Sequence, residues 1–230
     1  METNNLIELN NVTKKFLVGD GEFTALSNIN LQFSKGEFSG LIGPSGSGKT
    51  TLLNLIGALD DTSEGSIEIN GKNIANNSDE DSALLRNEHI GFIFQSYNLL
   101  PVYSIYENVE FPLLLQKLPK AQRKEMVMQA LKWVGLEDIA DKKTSQISGG
   151  QAQRVAIARS IVKKPQIILA DEPTANLDSA NAYKVMDILK KLNEELGITF
   201  IFSSHDSKVI KYLKRVISLE DGKVVNDEKK

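Results

Sequence analysis

Eight consecutive residues, Gly43-Pro44-Ser45-Gly46-Ser47-Gly48-Lys49-Thr50, carry the sharpest chemistry in the chain. Glycines at these spacings let the backbone curl until successive N–H groups point inward, where phosphate oxygens would sit. A helix opening at Lys49 adds the positive end of its dipole. Lys49 has the reach and charge for the β- and γ-phosphates of a nucleoside triphosphate, and the Thr50 hydroxyl suits Mg2+. An accidental glycine-rich turn is the competing reading. The apolar strand before the motif and the helical pattern after it weigh against that.

Two further clusters gain meaning beside it. The apolar run 167–170 ends at once in Asp171-Glu172-Pro173. In open α/β sheets ligands sit at the carboxyl ends of strands. Asp171 is therefore placed to hold Mg2+, directly or through water, and Glu172 to polarise an attacking water. His205 follows the apolar strand 198–202 through Ser203 and Ser204, where it could contact the γ-phosphate or orient Glu172. The blander alternatives are a solvated strand end for the carboxylates and a plain turn residue for His205. Separately, Ser148-Gly149-Gly150-Gln151 opens a helix. Ser148 is a good N-cap, and the two glycines leave the first N–H groups uncovered, a second end suited to an anion. An ordinary capped helix is the commoner meaning of such a sequence. One triphosphate already gripped by residues 43–50 has no need of both, so this end is expected to serve the nucleotide of another copy, in a dimer closed by ATP.

The elements that must position these groups are legible in outline. Residues 6–16 and 26–33 read as strands, 38–42 as a short apolar strand, and 49–59 as a helix. Residues 66–70 alternate and end at Asn70-Gly71, a hairpin signal. A short helix over 79–88 and a strand over 91–95 follow. The stretch 104–135 is helical, broken at Pro112 and Pro119. A helix over 148–163, buried strands over 166–170 and 198–202, a helix over 179–196 and a short one over 207–213 complete the core. A hairpin over 216–225 turns at Asp221-Gly222, and 226–230 is expected to fray. The order implies an α/β core, an antiparallel edge from the first strands, and a helical insertion at about 96–160.

Composition bounds the rest. The 230 residues allow one core with an attached subdomain, and no cysteine excludes disulfides and thiolate metal sites. A net charge of −3 argues against nucleic acid as partner. Residues 1–8 lack the basic and apolar regions of a signal peptide, and no apolar run reaches the ~18 residues of a membrane span.

Taken together these residues resemble the ATP-binding subunit of ATP-binding-cassette (ABC) transporters, over nearly the whole chain. Six elements stand in family order: the phosphate loop; Gln95 after Gly91-Phe92-Ile93-Phe94; the signature Ile147-Ser148-Gly149-Gly150-Gln151; Asp171-Glu172; Ala175-Asn176-Leu177-Asp178; and His205. The resemblance implies an ABC ATPase fold, a P-loop core with an antiparallel β subdomain and the helical insertion, making 1–230 a single ATP-binding domain. It implies that Phe16 stacks on adenine, that residues 43–51 including Thr51 hold the phosphates, and that Gln95 senses Mg2+ alongside Thr50 and Asp171. It makes Glu172 the general base supported by His205, and Asp178 a link across the dimer. Ile147 stands where leucine is usual and Phe16 where tyrosine is common. Within the family the chain resembles the lipoprotein-release and macrolide-export group, through the loop and its helix, residues 94–101 and Glu107-Asn108-Val109-Glu110. The implied partner is an integral membrane permease, with this chain on the cytoplasmic face. A regulatory ATPase that moves no cargo, like the cell-division relative of the group, is the alternative. Docking is expected on the tyrosine-rich stretch after Gln95, with Tyr97, Leu99 and Tyr103 exposed.

Overall fold

The computed structural model of the chain describes residues 5–19, 21–75 and 77–230. Of the polar start, residues 1–4 lie outside them. Strands β1 (Asn5–Val18) and β2 (Gly21–Ser34) form a long antiparallel hairpin in which Leu9 faces Leu31 and Phe16 faces Phe23. β3 (Phe38–Ile42) leads through the glycine loop into α1 (Lys49–Ile56). This helix is three residues shorter than the periodicity suggests, because Gly57 caps it and Ala58 takes a positive φ of 50°. β4 (Glu64–Ile69) and β5 (Lys72–Asn73) join the hairpin in a sheet of order β2-β1-β4-β5.

The second sheet gathers the site. After α2 (Asp79–His89) come β6 (Ile90–Ile93), α3 (Ile105–Leu114) and α4 (Lys120–Val134). Pro112 does not break α3. It lies inside the helix, two residues from its end, and the real break falls before Pro119, which serves as the N-cap of α4. A proline so close to the last turn removes one hydrogen bond from a helix about to stop. Then follow α5 (Gly149–Ile161), β7 (Ile167–Asp171), α6 (Ser179–Leu196), β8 (Thr199–Ser203) and α7 (Ser207–Ile210). β9 (Arg215–Glu220) and β10 (Lys223–Lys229) close the chain. The sheet order is β10-β9-β3-β8-β7-β6, with every pair parallel except the terminal hairpin.

The parallel strands are apolar on both faces, and their period of two divides them cleanly. Ile168, Ala170, Phe200 and Phe202 face one core, shared with α3, α4, α5 and α6. Ile167, Leu169 and Ile201 face the other, shared with α1 and the hairpin sheet. Sandwiched this way, the strand ends at Ile42, Asp171 and Ser203 hold fixed relative positions.

The last residues are ordered, contrary to the expectation that they fray. Residues 226–229 pair with β9, the Lys230 N–H donates to the Lys214 carbonyl at 2.8 Å, and Asp227 takes two hydrogen bonds from Arg215. Backbone pairing and one ion pair hold a stretch with no apolar pattern of its own. Among the described residues, no helix is long and apolar enough to cross a membrane.

Candidate functional site

The glycine loop leaves β3 at Gly43 and is clamped from two sides. The Gly222 N–H donates to the Ser47 carbonyl at 3.2 Å, while the Gly222 carbonyl accepts from the Ser27 N–H at 2.9 Å. The turn at Asp221-Gly222 thus ties the loop to β2. Gly43 has φ 149° and Gly48 φ 100°, conformations that exclude side chains. A Cβ on Gly43 would lie 2.1 Å from the Leu219 carbonyl oxygen, and one on Gly48 2.7 Å from Leu26. Gly48 is also the N-cap of α1 and provides no capping side chain. The first N–H groups of that helix are therefore left for an anion. Lys49 is almost fully buried, and its ammonium donates to the Gly43 and Pro44 carbonyls at 2.8 Å each.

Facing the loop, the Thr50 hydroxyl lies 3.1 Å from both carboxylate oxygens of Asp171. A hydroxyl and a carboxylate converging at a parallel strand end form the hard-oxygen set that Mg2+ takes alongside phosphates and water. Glu172 departs from the strand with φ 45°, its N–H held by the Ser203 carbonyl at 2.9 Å. One of its oxygens lies 2.6 Å from His205 Nδ1 and the other accepts from the Ser204 hydroxyl at 3.1 Å. Opposite an ionised carboxylate, Nδ1 is the nitrogen that carries hydrogen. Each Glu172 oxygen keeps lone pairs beyond these contacts, as a proton acceptor requires.

One cavity of about 590 Å3 collects these groups. Pro44, Ser45, Gly46, Gly48, Lys49, Thr50, Thr51, Gln95, Glu172 and His205 line it, and so do Phe16, Phe23 and Ala25 from the hairpin sheet. Gly43, Ser47 and Asp171 stand just behind this lining, in the contacts described above. Phe23 escaped the sequence reading. Its only signal was its register opposite Phe16, visible once the hairpin pairs. One positioning residue, Gln153, also escaped, and Asn176, read from the sequence only as part of the run 175–178, gains a contact of its own. Asn176 donates to the Gln95 carbonyl at 2.9 Å, and the buried Gln153 donates to the Pro173 carbonyl at 2.6 Å.

The structure does not bring residues 148–151 into this cavity. Ser148 and Gln151 form a reciprocal capping box, with the Gln151 N–H on the Ser148 hydroxyl at 3.3 Å and the Ser148 N–H on the Gln151 side chain at 2.9 Å. Gly150 is buried, and a Cβ there would lie 2.7 Å from the Asn181 side chain, so the expected pair of open glycines is only partly open. Asn181 in turn is held by Asp178, the N-cap of α6, at 2.9 and 2.6 Å. The Asn181 backbone N–H, foremost among its partners, holds the Asp178 carboxyl below the usual range.

The stretch after Gln95 differs from expectation. Tyr103 is exposed, but Tyr97 is half-buried and Leu99 packs against the main core. Arg159 of α5 anchors the backbone here, its guanidinium donating to the Tyr97 and Asn98 carbonyls at 2.7 and 2.6 Å. Beside them opens a groove of about 490 Å3, walled by Leu59, Phe92, Phe94, Phe111 and Leu115. Arg86, Arg159 and Lys163 also line it, and none of the three forms an ion pair among the described residues. Burial, and then the charge of Arg86, push Lys163 down from 10.5 to about 8. Between these values the unfolded chain holds a proton that the folded one has released, so stability rises with pH across that window. Compared with Lys163→Met, the wild type gains on the order of 1 kcal/mol between pH 8 and pH 10, after allowing for water's access to the ammonium. Urea midpoints of both proteins across that range check it.

The family model for ABC transporters matches residues 26–175. The uncharacterized ABC transporter ATP-binding protein MJ0796 of Methanocaldococcus jannaschii is 44% identical over 228 residues, 97% of each chain. The macrolide export ATP-binding/permease protein MacB of Bdellovibrio bacteriovorus is 42% identical over 97% of this chain, which spans only 34% of that protein. A solved dimeric structure of MJ0796, in a post-hydrolysis state bound to ADP and Pi, superposes with a TM-score of 0.90 over 97% of this chain and 98% of that one. The structure of cbiO1 from Clostridium perfringens, part of the ABC transporter complex cbiONQ, is 33% identical and superposes at 0.89 over 99% of this chain and 89% of that one.

Proposed function

This chain belongs to the ABC transporter family as one of its ATP-hydrolysing subunits, and from there we propose that two copies close head to tail around two MgATP and drive a separate membrane permease. The observation that carries the reading is the separation of the two anion-binding helix ends. The end at Gly48 opens into the cavity with Lys49, Glu172 and His205, and the end at Ser148 stays outside it. A two-fold dimer places each surface against its counterpart on the other copy. Residues 148–151 of one chain then cover the triphosphate held by residues 43–51 of the other. The dimeric, nucleotide-bound form of the relative MJ0796 supports this arrangement.

In this proposal Phe16 stacks on the adenine and the loop N–H groups and Lys49 hold the phosphates. Thr50, Asp171 and Gln95 would hold Mg2+, which would supply positive charge to offset that of the phosphates. Glu172 takes a proton from the attacking water as its oxygen bonds to the γ-phosphorus. The bond to the bridging oxygen breaks, leaving ADP and inorganic phosphate. His205 holds the carboxylate on the γ side. Asp178, at the N-terminus of α6 and joined to Gly150 through Asn181, carries the state of one site toward the other chain.

The whole of 1–230 is one ATP-binding domain on this reading, with the helices of about 96–160 as its insertion. The apolar groove beside Gln95 receives the permease, and Arg159 links it to α5, whose first turn faces the second chain. Kinship with MacB supports export or extraction from the membrane and a place on its cytoplasmic face.

Complementation tests the shared site. Lys49→Ala and Ser148→Arg should each be inactive alone. Mixed one to one, they form heterodimers with one intact site, and at most about a quarter of wild-type turnover returns. Should the mixture stay as inactive as either parent and also fail to retain nucleotide, each site is built within one chain and the head-to-tail dimer is wrong.

A further inference from the structure

Among the described residues, three buried side chains carry a polar atom with no hydrogen-bond partner: Ser47, Gln153 and Ser203. The Ser47 hydroxyl is packed inside the phosphate loop, where a Cβ on Gly43 would come within 2.8 Å of it, and Gln153 is already bonded through its amide nitrogen. Ser203 differs from both, because it is 1% exposed and yet lines the nucleotide cavity. Its place in β8 fixes where its side chain points. Ile201 faces the core shared with α1, so Ser203, two residues on, lies on the same face. Asp171 lies two residues beyond Leu169 on the corresponding face of β7, and its carboxylate meets Thr50 at the start of α1. The parallel register sets Ser203 beside Asp171 on one side and beside the apolar Leu41 on the other. Adjacent strands run about 5 Å apart, so the hydroxyl stands in the same row as the carboxylate. The Ser203 backbone is held, its carbonyl accepting from the Glu172 N–H at 2.9 Å, while its hydroxyl is unused.

We propose that Ser203 is a further residue of the Mg2+ site, its hydroxyl hydrogen-bonding a water of the metal's shell beside Asp171. The proposal rests on the reading of this cavity as the MgATP site. A buried hydroxyl without a partner is costly, and in a folded protein such a group marks a place for a ligand, water or ion. An apolar side chain would fill this position without that cost, as Leu41 does on the neighbouring strand. Mg2+ bound through one or two carboxylates and phosphates keeps several of its waters. Those waters are strong donors and need acceptors around them. A serine hydroxyl offers two lone pairs, whereas Leu41, the other neighbour in the row, offers none. Ser203 thus orients the metal's hydration from the β8 side, as a positioning residue that touches neither the attacking water nor the phosphorus.

The test reads metal binding without turnover. Mn2+ serves as the probe, its free ion counted by paramagnetic resonance, with protein in excess over ADP so that no free nucleotide competes for the metal. Ser203→Ala should weaken Mn2+ binding about five- to tenfold, the loss of one hydrogen bond, and leave ADP affinity in EDTA, measured by calorimetry, within about twofold of wild type. Ser203→Thr keeps the hydroxyl and should hold Mn2+ within about twofold of wild type. Without nucleotide, Ser203→Ala should melt no lower than wild type, since no bond is lost there. Unchanged Mn2+ affinity in Ser203→Ala overturns the proposal, as does a loss in Ser203→Thr equal to that in Ser203→Ala. An equal loss of ADP affinity in EDTA overturns it too, by showing a disturbed phosphate loop in place of a lost metal contact. A nucleotide-free melting temperature several degrees below wild type would show the hydroxyl bonded within the fold, with the same consequence. A wild type that binds neither ADP nor Mn2+ with ADP would instead remove the nucleotide site itself, a different failure from any of these.

Discussion

Replacing Glu172 by glutamine lowers ATP turnover about 10³-fold, within the range for loss of a general base, while nucleotide still binds. Glutamine keeps the shape of the side chain. Its oxygen can still accept from His205 Nδ1, now 2.6 Å from the carboxylate, and its amide can meet the Ser204 hydroxyl at 3.1 Å. Only the capacity to take a proton from water is lost. Lys49, the Gly48 helix end and Phe16 lie outside these contacts, so MgATP affinity should hold. With hydrolysis stopped, bound ATP keeps two chains together, and light scattering should read twice the monomer mass in MgATP and the monomer mass without nucleotide. Turnover close to wild type would remove Glu172 from the base role. A nucleotide-loaded, inactive variant that stays monomeric would count against the shared site and leave the base assignment standing. His205→Ala should cost less, because it frees one oxygen of Glu172 without removing either.

That these residues would gather at one site was readable before any fold was known, because the pattern that marks them is local. Gly43 to Thr50 is one contiguous run, and Asp171-Glu172 follows directly on four apolar residues. The strands behind them were just as plain, since burial on both faces writes an unbroken apolar run. What could not be read depends on register. Phe23 looks like any strand aromatic until the hairpin sets it opposite Phe16. Tyr97 and Leu99 had the composition of an interface, and only the fold shows Leu99 packed on the main core and the Tyr97 carbonyl held by Arg159 from far along the chain. The open glycines of residues 149–150 were half right for a similar reason. A helix start predicts free N–H groups, but Asn181 of α6 packs over Gly150.

Arg215→Met should be the most damaging substitution outside the site, with a loss of about 3 kcal/mol in stability. Arg215 is nearly buried, and its guanidinium spans three parts of the fold. It donates to both oxygens of Asp227 at 2.6 Å, to Glu37 at 2.8 Å and to the Gln32 carbonyl at 2.6 Å, with Phe33 stacked 5.3 Å away. β2, the approach to β3, and β10 thus depend on one cation. Methionine fills much the same volume, so the cost comes from charge. Glu37, with 12% of its side chain exposed, is left without its cation, and the Gln32 carbonyl loses its donor. At a few degrees per kcal/mol for a chain of this size, Tm should fall by about 10 °C. The acid response gives a second handle. The Asp227 carboxyl is held below its usual range, first of all by the hydrogen bonds from Arg215. That contribution is complete above the unfolded value near 4 and lost as pH falls through the lower folded value. In Arg215→Met this part of the acid sensitivity should vanish, and the two proteins should converge in stability as pH drops from about 5 toward 2. Thermal melts of both across that range decide it. A variant that melts like the wild type at pH 7 would mean that β10 and its approach are held by backbone pairing alone, and that the ion pairs of Arg215 are incidental to the fold.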